Sequence, residues 1–347
     1  MTTRVGWGLI GASNIARQRV AGAIQRSDAG ALVGVMSRRR DLADAFAAEF
    51  GIPHSFDSLS ELLGRRDIDA VYVSSTNQFH CEQVLAAAAA GKHVLCEKPL
   101  ATELDDAVAM VLACRSAGVV MGTNHHLRNS ATIRAMQNVI ASGKIGTPLS
   151  ALVSQPVYVG ESEWRRAAPA SGSGVSFDVL VHAADAIRYI LGQEPVEVSA
   201  MANSGASMAG GVNDSIIATY RFDSGTLASL YADFNCPEGR TRLEIHGRKG
   251  SMYGADVLGK TPHFRGSVIV RIDGRDEQIA VESEESRYLA GVNRFNASIL
   301  GDGQPSCSGA DGVRSLAMIL GAEAAAAAGT TVRIGDGLEG GFREHYP

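Results

Sequence analysis

Residues 5–16, VGWGLIGASNIA, run from an apolar strand through small residues into the start of a helix. Gly11, Ser13 and Ala16 occupy the three spaced positions of the dinucleotide fingerprint G-x-G-x-x-G/A, with serine in place of the middle glycine. Gly11 provides the tight turn, Ala16 allows close packing of helix on strand, and the Ser13 hydroxyl can donate to a phosphate oxygen. We therefore predict a pyrophosphate site at the helix N-terminus, formed by Gly11, Ala12, Ser13, Asn14 and Ile15. An ordinary βα turn of small residues is the alternative.

The first third of the chain alternates apolar runs of strand length with alanine-rich helical segments. Strands that are apolar throughout and alternate with helices are typical of a parallel sheet that is covered on both faces. The predicted strands are 5–10, 31–36, 70–74, 93–96 and 119–123, and the predicted helices are 14–26, 41–50, 79–90 and 104–117. Residues 1–125 are thus predicted to form an α/β domain of the Rossmann type, with a doubly wound parallel sheet.

After residue 125 the pattern changes to β-type segments joined by turns such as Asp223-Ser224-Gly225 and 247–250. Helices are predicted at 129–142, 179–191 and 311–328. Residues 126–347 are therefore predicted to form an α+β domain, and the family resemblance described below implies that this domain serves substrate binding and oligomerisation. Its open sheet is predicted to be mostly antiparallel, and the helix 311–328 can pack on either domain.

The composition of the 347-residue chain argues against several classes of protein. Hydrophobic residues make up 45% and charged residues 20%, which is typical of a globular protein. A net charge of -5 gives no reason to expect nucleic acid or an anionic membrane as a partner, and no apolar run is long enough to cross a bilayer. The five cysteines contain no C-x-x-C pair, so we expect reduced thiols and neither a disulfide framework nor a zinc site. The first residues, MTTRVGWGLIG, enter a strand almost at once, so we expect no signal peptide and a cytoplasmic protein.

The second predicted strand ends in Met36-Ser37-Arg38-Arg39-Arg40. Domains that bind NAD normally have Asp or Glu here, which accepts a hydrogen bond from the adenosine 2′-OH. A 2′-phosphate needs hydroxyl and guanidinium donors instead, and a carboxylate would repel it. Ser37 and Arg38 are therefore predicted to select NADP(H). The alternative is a basic helix start on the surface.

Residues 93–99, HVLCEKP, form an apolar strand that ends in a charged pair and a proline. A surface loop also explains such a pair, but ligands of doubly wound sheets bind at the carboxyl ends of the strands. We therefore predict that Glu97 and Lys98 face the cofactor crevice and that Lys98 binds and protonates the substrate oxygen. The bond before Pro99 is a candidate for the cis form.

The E-K-P motif after an apolar strand, together with G-x-x-x-x-A after the first strand, resembles the glucose–fructose oxidoreductase/inositol dehydrogenase (Gfo/Idh/MocA) family over essentially the whole chain. The family's second signature, a glycine run followed by D-x-x-x-H, matches residues 172–182, with Ser173 in place of the middle glycine. The spacing of four puts Asp178 and His182 on one helix face. The resemblance implies that His182 exchanges a proton with the substrate oxygen, a task suited to histidine near pH 7, and that Asp178 lies beside it.

Four segments resemble, more specifically, family members that use NADPH to reduce 1,5-anhydro-D-fructose to 1,5-anhydro-D-mannitol: GLIGAS-x-IA, VSSTN-x-x-H, VLCEKPLA and GTNHHLRN. Further cofactor contacts implied by the resemblance are Ser75, Thr76, Asn77, His80, Asn124, Trp164, Arg165 and Tyr288, the last before a helix at 289–300. His125 and His126 are expected to shape the sugar pocket rather than to bind a metal. Ser173 and the segment 159–170 depart from the pattern, which leaves the identity of the sugar open.

Two other functions stay open at this point. The same residues serve an NAD(P)-dependent dehydrogenase that oxidises an inositol, a hexose or an anhydrosugar, because the reaction is reversible. The other function is that of a non-catalytic NADP sensor, although a sensor would need neither the E-K-P motif nor the D-x-x-x-H motif. Apolar residues on both faces of SIIATY (215–220) and TLASLY (226–231) suggest a homo-oligomer that forms through the sheet of the second domain.

Overall fold

A computed structural model describes residues 4–160, 163–166, 172–204, 212–259, 266–281 and 286–335. These residues form two compact units. The first unit contains the chain up to residue 126 together with 286–313, and the second contains 127–281 and 314–335. Residues 286–313 thus return to the first unit, whereas the sequence predicted one domain from residue 126 onward; the functional boundary stays a prediction. In the described ranges, no helix has both the length and the apolar character needed to cross a membrane.

Six parallel strands form the sheet of the first unit: β1 (Val5–Ile10), β2 (Gly30–Met36), β3 (His54–Phe56), β4 (Ala70–Val73), β5 (His93–Cys96) and β6 (Met121–Thr123). Their order across the sheet is β3-β2-β1-β4-β5-β6, so the direction of winding reverses between β1 and β4. Ligands of such sheets bind at this reversal, beyond the carboxyl ends of the strands. The predicted doubly wound parallel sheet is confirmed.

The described residues contain α-helices in both units. They are α1 (Ala21–Arg26), α2 (Arg40–Phe50), α3 (Leu59–Leu63), α4 (His80–Ala89), α5 (Leu104–Ser116), α6 (Ala131–Ala141), α7 (Val181–Leu191), α8 (Arg287–Ile299) and α9 (Gly309–Ala328). Helices α1 to α5 and α8 belong to the first unit, and α6 and α7 belong to the second. Helix α9 begins in the first unit and continues in the second, which the sequence had left open.

Burial of β1 on both faces explains why residues 286–313 return to the first unit. All six residues of β1 are buried, and Trp7 has no exposed surface. The indole N–H of Trp7 donates to Oδ1 of Asn296 at 2.9 Å, and its ring lies 5.4 Å from that of Phe295. Asn296 and Phe295 belong to α8. A late helix therefore covers the strand that opens the fold and satisfies its buried indole donor.

Four local features differ from the predicted elements. The first helix begins with a π-helical turn, Ala16–Val20, before α1. Strand β3 and helix α3 were not predicted, because three and five residues are too few to show a hydrophobic period. Strand β6 begins at Met121 rather than at 119, because the N–H of Val119 donates to the carbonyl of Cys114 at 3.0 Å and so closes α5.

Nine strands form the sheet of the second unit: β7 (Pro148–Pro156), β8 (Pro195–Asn203), β9 (Ser215–Phe222), β10 (Leu227–Asp233), β11 (Arg242–Gly247), β12 (Ser251–Ala255), β13 (Ser267–Ile272), β14 (Arg275–Ile279) and β15 (Val332–Arg333). Their order is β14-β13-β12-β11-β7-β10-β9-β8-β15. Strands β7 and β10 pair in parallel, and the other neighbours pair antiparallel. The predicted, mostly antiparallel sheet is confirmed.

The two faces of the nine-stranded sheet differ in exposure. Strand β9 alternates buried and exposed residues, with Tyr220 fully buried and Ile217 52% exposed. The hydroxyl of Tyr220 donates to the carbonyl of Met318 at 3.1 Å, so the part of α9 in this unit contacts the inner face. On the outer face Leu152 of β7 is 50% exposed. The outer face therefore carries exposed apolar side chains at the centre of the sheet.

Candidate active site

Most of the predicted cofactor residues lie at one edge of the six-stranded sheet, where its strands end. Since β2, β1, β4, β5 and β6 are neighbours in that order, their carboxyl ends are brought together. Gly11 to Ile15 follow β1, Ser37 and Arg38 follow β2, Ser75 to Asn77 follow β4, Glu97 and Lys98 follow β5, and Asn124 follows β6. The first unit thus assembles residues that are more than 100 positions apart in the sequence.

The turn after β1 depends on Gly11 and Ser13. Gly11 has a φ of 102°, and a Cβ there would lie 3.0 Å from the backbone N of Ser75. The Oγ of Ser13 accepts from the N–H of Ala16 at 3.1 Å and donates to Oγ of Ser74 at 2.8 Å. Serine in place of the middle glycine therefore joins the turns after β1 and β4, and its proton points to Ser74 in this structure.

The three arginines after β2 have different partners. Arg39 pairs with Asp41 at 2.6 Å, and Arg40 pairs with Asp44 at 2.9 Å. The guanidinium of Arg38 instead lies over the ring of Phe79, 4.1 Å from its centroid, and has no ion pair in the part of the chain that the structure describes. An exposed guanidinium without a carboxylate partner, next to the Ser37 hydroxyl, is a donor set that suits a phosphate.

The residues after β4 differ in burial and in their hydrogen-bond partners. Ser75 donates its hydroxyl to Oε1 of Gln83 at 2.7 Å, Thr76 is exposed and Asn77 is buried. His80 has no exposed surface: its Nδ1 lies 3.1 Å from the carbonyl of Pro99 and its Nε2 lies 3.2 Å from that of Ser75. Burial lowers the pKa of His80. Because a neutral imidazole carries a single N–H, His80 can donate to only one of these two carbonyls, and its contact with the cofactor stays a prediction.

The loop after β5 contains the charged pair. The bond between Lys98 and Pro99 is cis, as the sequence suggested. The carboxylate of Glu97 is buried and accepts from the hydroxyl of Tyr72, from Nδ2 of Asn124 at 2.6 Å and from the N–H of Lys98 at 3.2 Å. Glu97 therefore turns inward rather than into an open crevice. Lys98 is half-buried beside it.

Two aromatic rings of the first unit stack close to this loop. The rings of His126 and Tyr288 are 4.7 Å apart and nearly parallel. Tyr288 lies inside α8 and not before it, which corrects the predicted boundary. Loss of hydration and the positive charges of Arg287 and Lys98 hold the pKa of His126 well below its usual value, and burial raises the pKa of Tyr288 to about 12. Both rings are thus neutral near pH 7.

The D-x-x-x-H pair begins helix α7 of the second unit. Asp178 lies in a π-helical turn, Ser176–Leu180, and His182 is in the first turn of α7. Arg165 contacts Asp178 at 3.3 Å and Glu163 at 2.9 Å, so its guanidinium joins the preceding turn to the pair. The predicted contact at Trp164 concerns a side chain outside the described part of the chain.

A buried network in the second unit fixes helix α7, and the sequence did not predict it. Arg128 donates to both carboxylate oxygens of Asp185, at 2.9 and 2.8 Å. Ser315 donates to Asp185 at 3.0 Å and accepts from Arg188 at 3.2 Å, and Arg188 forms two bonds to Glu194, at 2.8 and 2.6 Å. Asp185 lies one helical turn after His182, so this network holds the part of α7 that carries the histidine.

Two family models match this chain. One, described as an oxidoreductase family with an NAD-binding Rossmann fold, covers residues 5–125, and the other, the GFO/IDH/MocA C-terminal domain, covers residues 133–253. The chain belongs to the Gfo/Idh/MocA oxidoreductase family. Membership confirms the resemblance seen in the sequence and indicates a nicotinamide cofactor for the first unit.

Individual relatives of this Gfo/Idh/MocA protein cover nearly its whole length. A 1,5-anhydro-D-fructose reductase from Ensifer adhaerens is 45% identical over 96% of this chain and 99% of its own. A myo-inositol 2-dehydrogenase from Thermotoga maritima is 27% identical over 84% of this chain and 86% of its own. The crystal structure of an aldose-aldose oxidoreductase from Caulobacter crescentus, complexed with glycerol, has the same fold, with a TM-score of 0.87, 24% identity, and coverage of 95% of this chain and 99% of that one.

Proposed function

We propose that this chain reduces a cyclic keto-sugar with NADPH, and that it converts 1,5-anhydro-D-fructose to 1,5-anhydro-D-mannitol. The observation that carries the proposal is the 45% identity to a 1,5-anhydro-D-fructose reductase over 96% of this chain. Identity to the myo-inositol 2-dehydrogenase is only 27%. The reductase is therefore the better guide to the substrate.

The donor groups of the first unit suit NADPH. We assign the 2′-phosphate to Ser37 and Arg38, because Arg38 is exposed and has no carboxylate partner among the described residues. The other proposed contacts are Gly11, Ala12, Ser13, Asn14 and Ile15 for the pyrophosphate; Ser75, Thr76, Asn77 and His80 for the ribose and pyrophosphate side; and Asn124, Trp164, Arg165 and Tyr288 near the nicotinamide. When bound, NADPH supplies the hydride.

Lys98 and His182 are proposed to act on the substrate oxygen, where they stabilise its negative charge and supply its proton. A ketone that accepts a hydride becomes an alkoxide, which must gain a proton near pH 7. We assign donation of this proton to His182. The ammonium of Lys98 is assigned the task of stabilising the negative charge that develops on the oxygen. Asp178 lies one turn before His182 and is held by Arg165 at 3.3 Å, and we assign it the task of orienting the imidazole.

Two alternatives make different predictions for the same residues. A dehydrogenase would use Lys98 and His182 in reverse and would oxidise an inositol, a hexose or an anhydrosugar with NADP⁺ or NAD⁺. A non-catalytic NADP sensor would bind the cofactor without turning over any sugar. The E-K-P and D-x-x-x-H motifs favour an enzyme over a sensor, and the identity to a reductase favours the reductive direction.

Replacing Arg38 by alanine is expected to raise the dissociation constant for NADPH by about 10- to 100-fold, since a charged hydrogen bond to phosphate contributes roughly 1.5–3 kcal/mol. The constant for NADH, which lacks the 2′-phosphate, should change less than about threefold. Fluorescence titration of both cofactors measures the ratio. Arg39→Ala is the matched control, because Arg39 is adjacent but already paired with Asp41. Equal losses for NADPH and NADH in Arg38→Ala would contradict the assignment.

The outer face of the nine-stranded sheet is proposed to bind a second copy of the chain. Leu152, Ile217 and Met201 are 50%, 52% and 83% exposed there. A groove of about 550 Å³ on this face is lined by residues of both charges, so that two copies can pair them: Glu238, Glu244, Arg240 and Arg242. Leu152→Glu is expected to convert a dimer into monomers in sedimentation velocity. A wild-type protein that sediments only as a monomer at all concentrations would rule out the proposal.

A further inference from the structure

A buried polar network connects three neighbouring strands of the first unit. Tyr72 lies within β4 and has no exposed surface, Glu97 follows β5, and Asn124 follows β6. The Tyr72 hydroxyl and the Nδ2 of Asn124 both donate to Oε1 of Glu97, the latter at 2.6 Å. The backbone N–H of Lys98 donates to the other carboxylate oxygen at 3.2 Å. Three donors therefore fix the carboxylate of Glu97 in one orientation.

The fixed carboxylate in turn determines which way the amide of Asn124 faces. Its Nδ2 must point to Glu97, because a reversed amide would bring its own oxygen against the carboxylate oxygen. The Oδ1 of Asn124 has no hydrogen-bond partner among the residues that the structure describes. The backbone around it is also held, since the N–H of Asn124 donates to the carbonyl of Cys96 at 2.7 Å. Asn124 thus presents an oriented carbonyl acceptor at the ligand edge of the sheet.

We propose that Tyr72 and Glu97 are positioning residues, which fix the side-chain carbonyl of Asn124 as the acceptor for a primary carboxamide N–H of the ligand. The nicotinamide ring carries such a carboxamide. This inference rests on the proposed function, because it assumes a nicotinamide at this edge of the sheet. It assigns a structural role to the glutamate of the E-K-P motif and to Tyr72, which has no exposed surface.

Burial of the Glu97 carboxyl costs free energy, and this cost supports a role in orienting a neighbouring group. Burial raises the pKa of Glu97, whereas its hydrogen bonds from Tyr72 and Asn124 oppose that rise. A buried carboxyl is costly unless its oxygens are satisfied, and an apolar residue would fill the same space without that cost. Glu97 and its two donors are therefore explained better by orientation of a polar group than by packing alone.

The test compares two cofactors that differ only at the carboxamide. NADPH has a C(=O)NH₂ group, and its reduced 3-acetylpyridine analogue has C(=O)CH₃, which cannot donate. Wild-type protein is expected to bind NADPH about tenfold more tightly than the analogue. Tyr72→Phe removes only a hydroxyl, and we expect the ratio of dissociation constants to fall to about two, mostly through weaker binding of NADPH. Tyr220→Phe is the matched control, because it removes a buried tyrosine hydroxyl from the second unit.

Glu97 variants provide the second measurement, with thermal unfolding to verify that each protein is folded. Glu97→Ala is expected to remove the discrimination, and Glu97→Gln, which keeps an acceptor for Tyr72 and Asn124, should retain about half of it on a logarithmic scale. The proposal is overturned if folded Tyr72→Phe or Glu97→Ala weakens both cofactors equally, or if the wild type does not discriminate between them. Failure of the wild type to bind NADPH at all would instead contradict the proposed function.

Discussion

Lys98→Ala is expected to lower kcat/KM for ketone reduction by about 10³-fold and to leave the dissociation constant for NADPH within about threefold of the wild-type value. The loss corresponds to roughly 4 kcal/mol of transition-state stabilisation. The physical reason is that an alkoxide develops on the substrate oxygen, and the ammonium of Lys98 is proposed to neutralise it. Steady-state NADPH oxidation measures the first quantity, and fluorescence titration measures the second.

Two further variants separate this role from a general effect of charge. Lys144→Ala removes the same charge from the surface of the second unit, where Lys144 pairs with Glu277 at 2.5 Å, and it should leave kcat/KM unchanged. The double variant Lys98→Ala/His182→Ala should lose little more than Lys98→Ala alone, because groups that serve one proton-coupled step are not additive. Full activity in Lys98→Ala, or strictly additive losses in the double variant, would contradict the proposed roles.

Arg128→Ala is expected to lower the free energy of unfolding by about 3–5 kcal/mol, because it leaves Asp185 buried without its main partner. The side chains of Arg128 and Asp185 are only 7% and 2% exposed, and two hydrogen bonds join them. Denaturant unfolding measures the change. Activity of the remaining folded protein should also fall, since Asp185 holds the helix that carries His182.

Two further variants are compared with Arg128→Ala: one that breaks an exposed ion pair, and one that removes both charges of the buried pair. Arg221→Ala breaks an ion pair with Glu197 in which the two side chains are 53% and 34% exposed, and we expect it to cost less than about 1 kcal/mol. Arg128→Met/Asp185→Leu removes both buried charges and should recover much of the lost stability. If Arg128→Ala were no more destabilising than Arg221→Ala, the network would not be what fixes α7.

Local patterns predicted the fold well because they depend on neighbours in the sequence. The run of apolar strands and alanine-rich helices predicted the doubly wound sheet, and the turn at Asp223-Ser224-Gly225 correctly joins β9 to β10. The cis bond before Pro99 was also suggested correctly. The motif residues after β1, β2, β4, β5 and β6 meet at one edge because that fold brings strand ends together.

Contacts between residues that are far apart in the sequence could not be predicted from local patterns. Nothing near Trp7 in the sequence indicates that Asn296 satisfies its indole N–H, so the return of α8 to the first unit was missed. The motif position of His80 predicted a ligand contact, but nothing near it in the sequence showed that its ring is fully buried beside the carbonyls of Ser75 and Pro99. Signals for the missed networks were present: Tyr72 puts a hydroxyl in an apolar strand, and Asp185 follows His182 by one turn.

The central claim is tested most directly by steady-state oxidation of NADPH with 1,5-anhydro-D-fructose as substrate and NADH measured in parallel. We expect turnover that strongly favours NADPH, with 1,5-anhydro-D-mannitol as the product. Absence of turnover with either cofactor, by a folded protein that still binds NADPH, would contradict the assignment of the substrate. Oxidation of an inositol or a hexose in the same preparation would then identify a dehydrogenase instead.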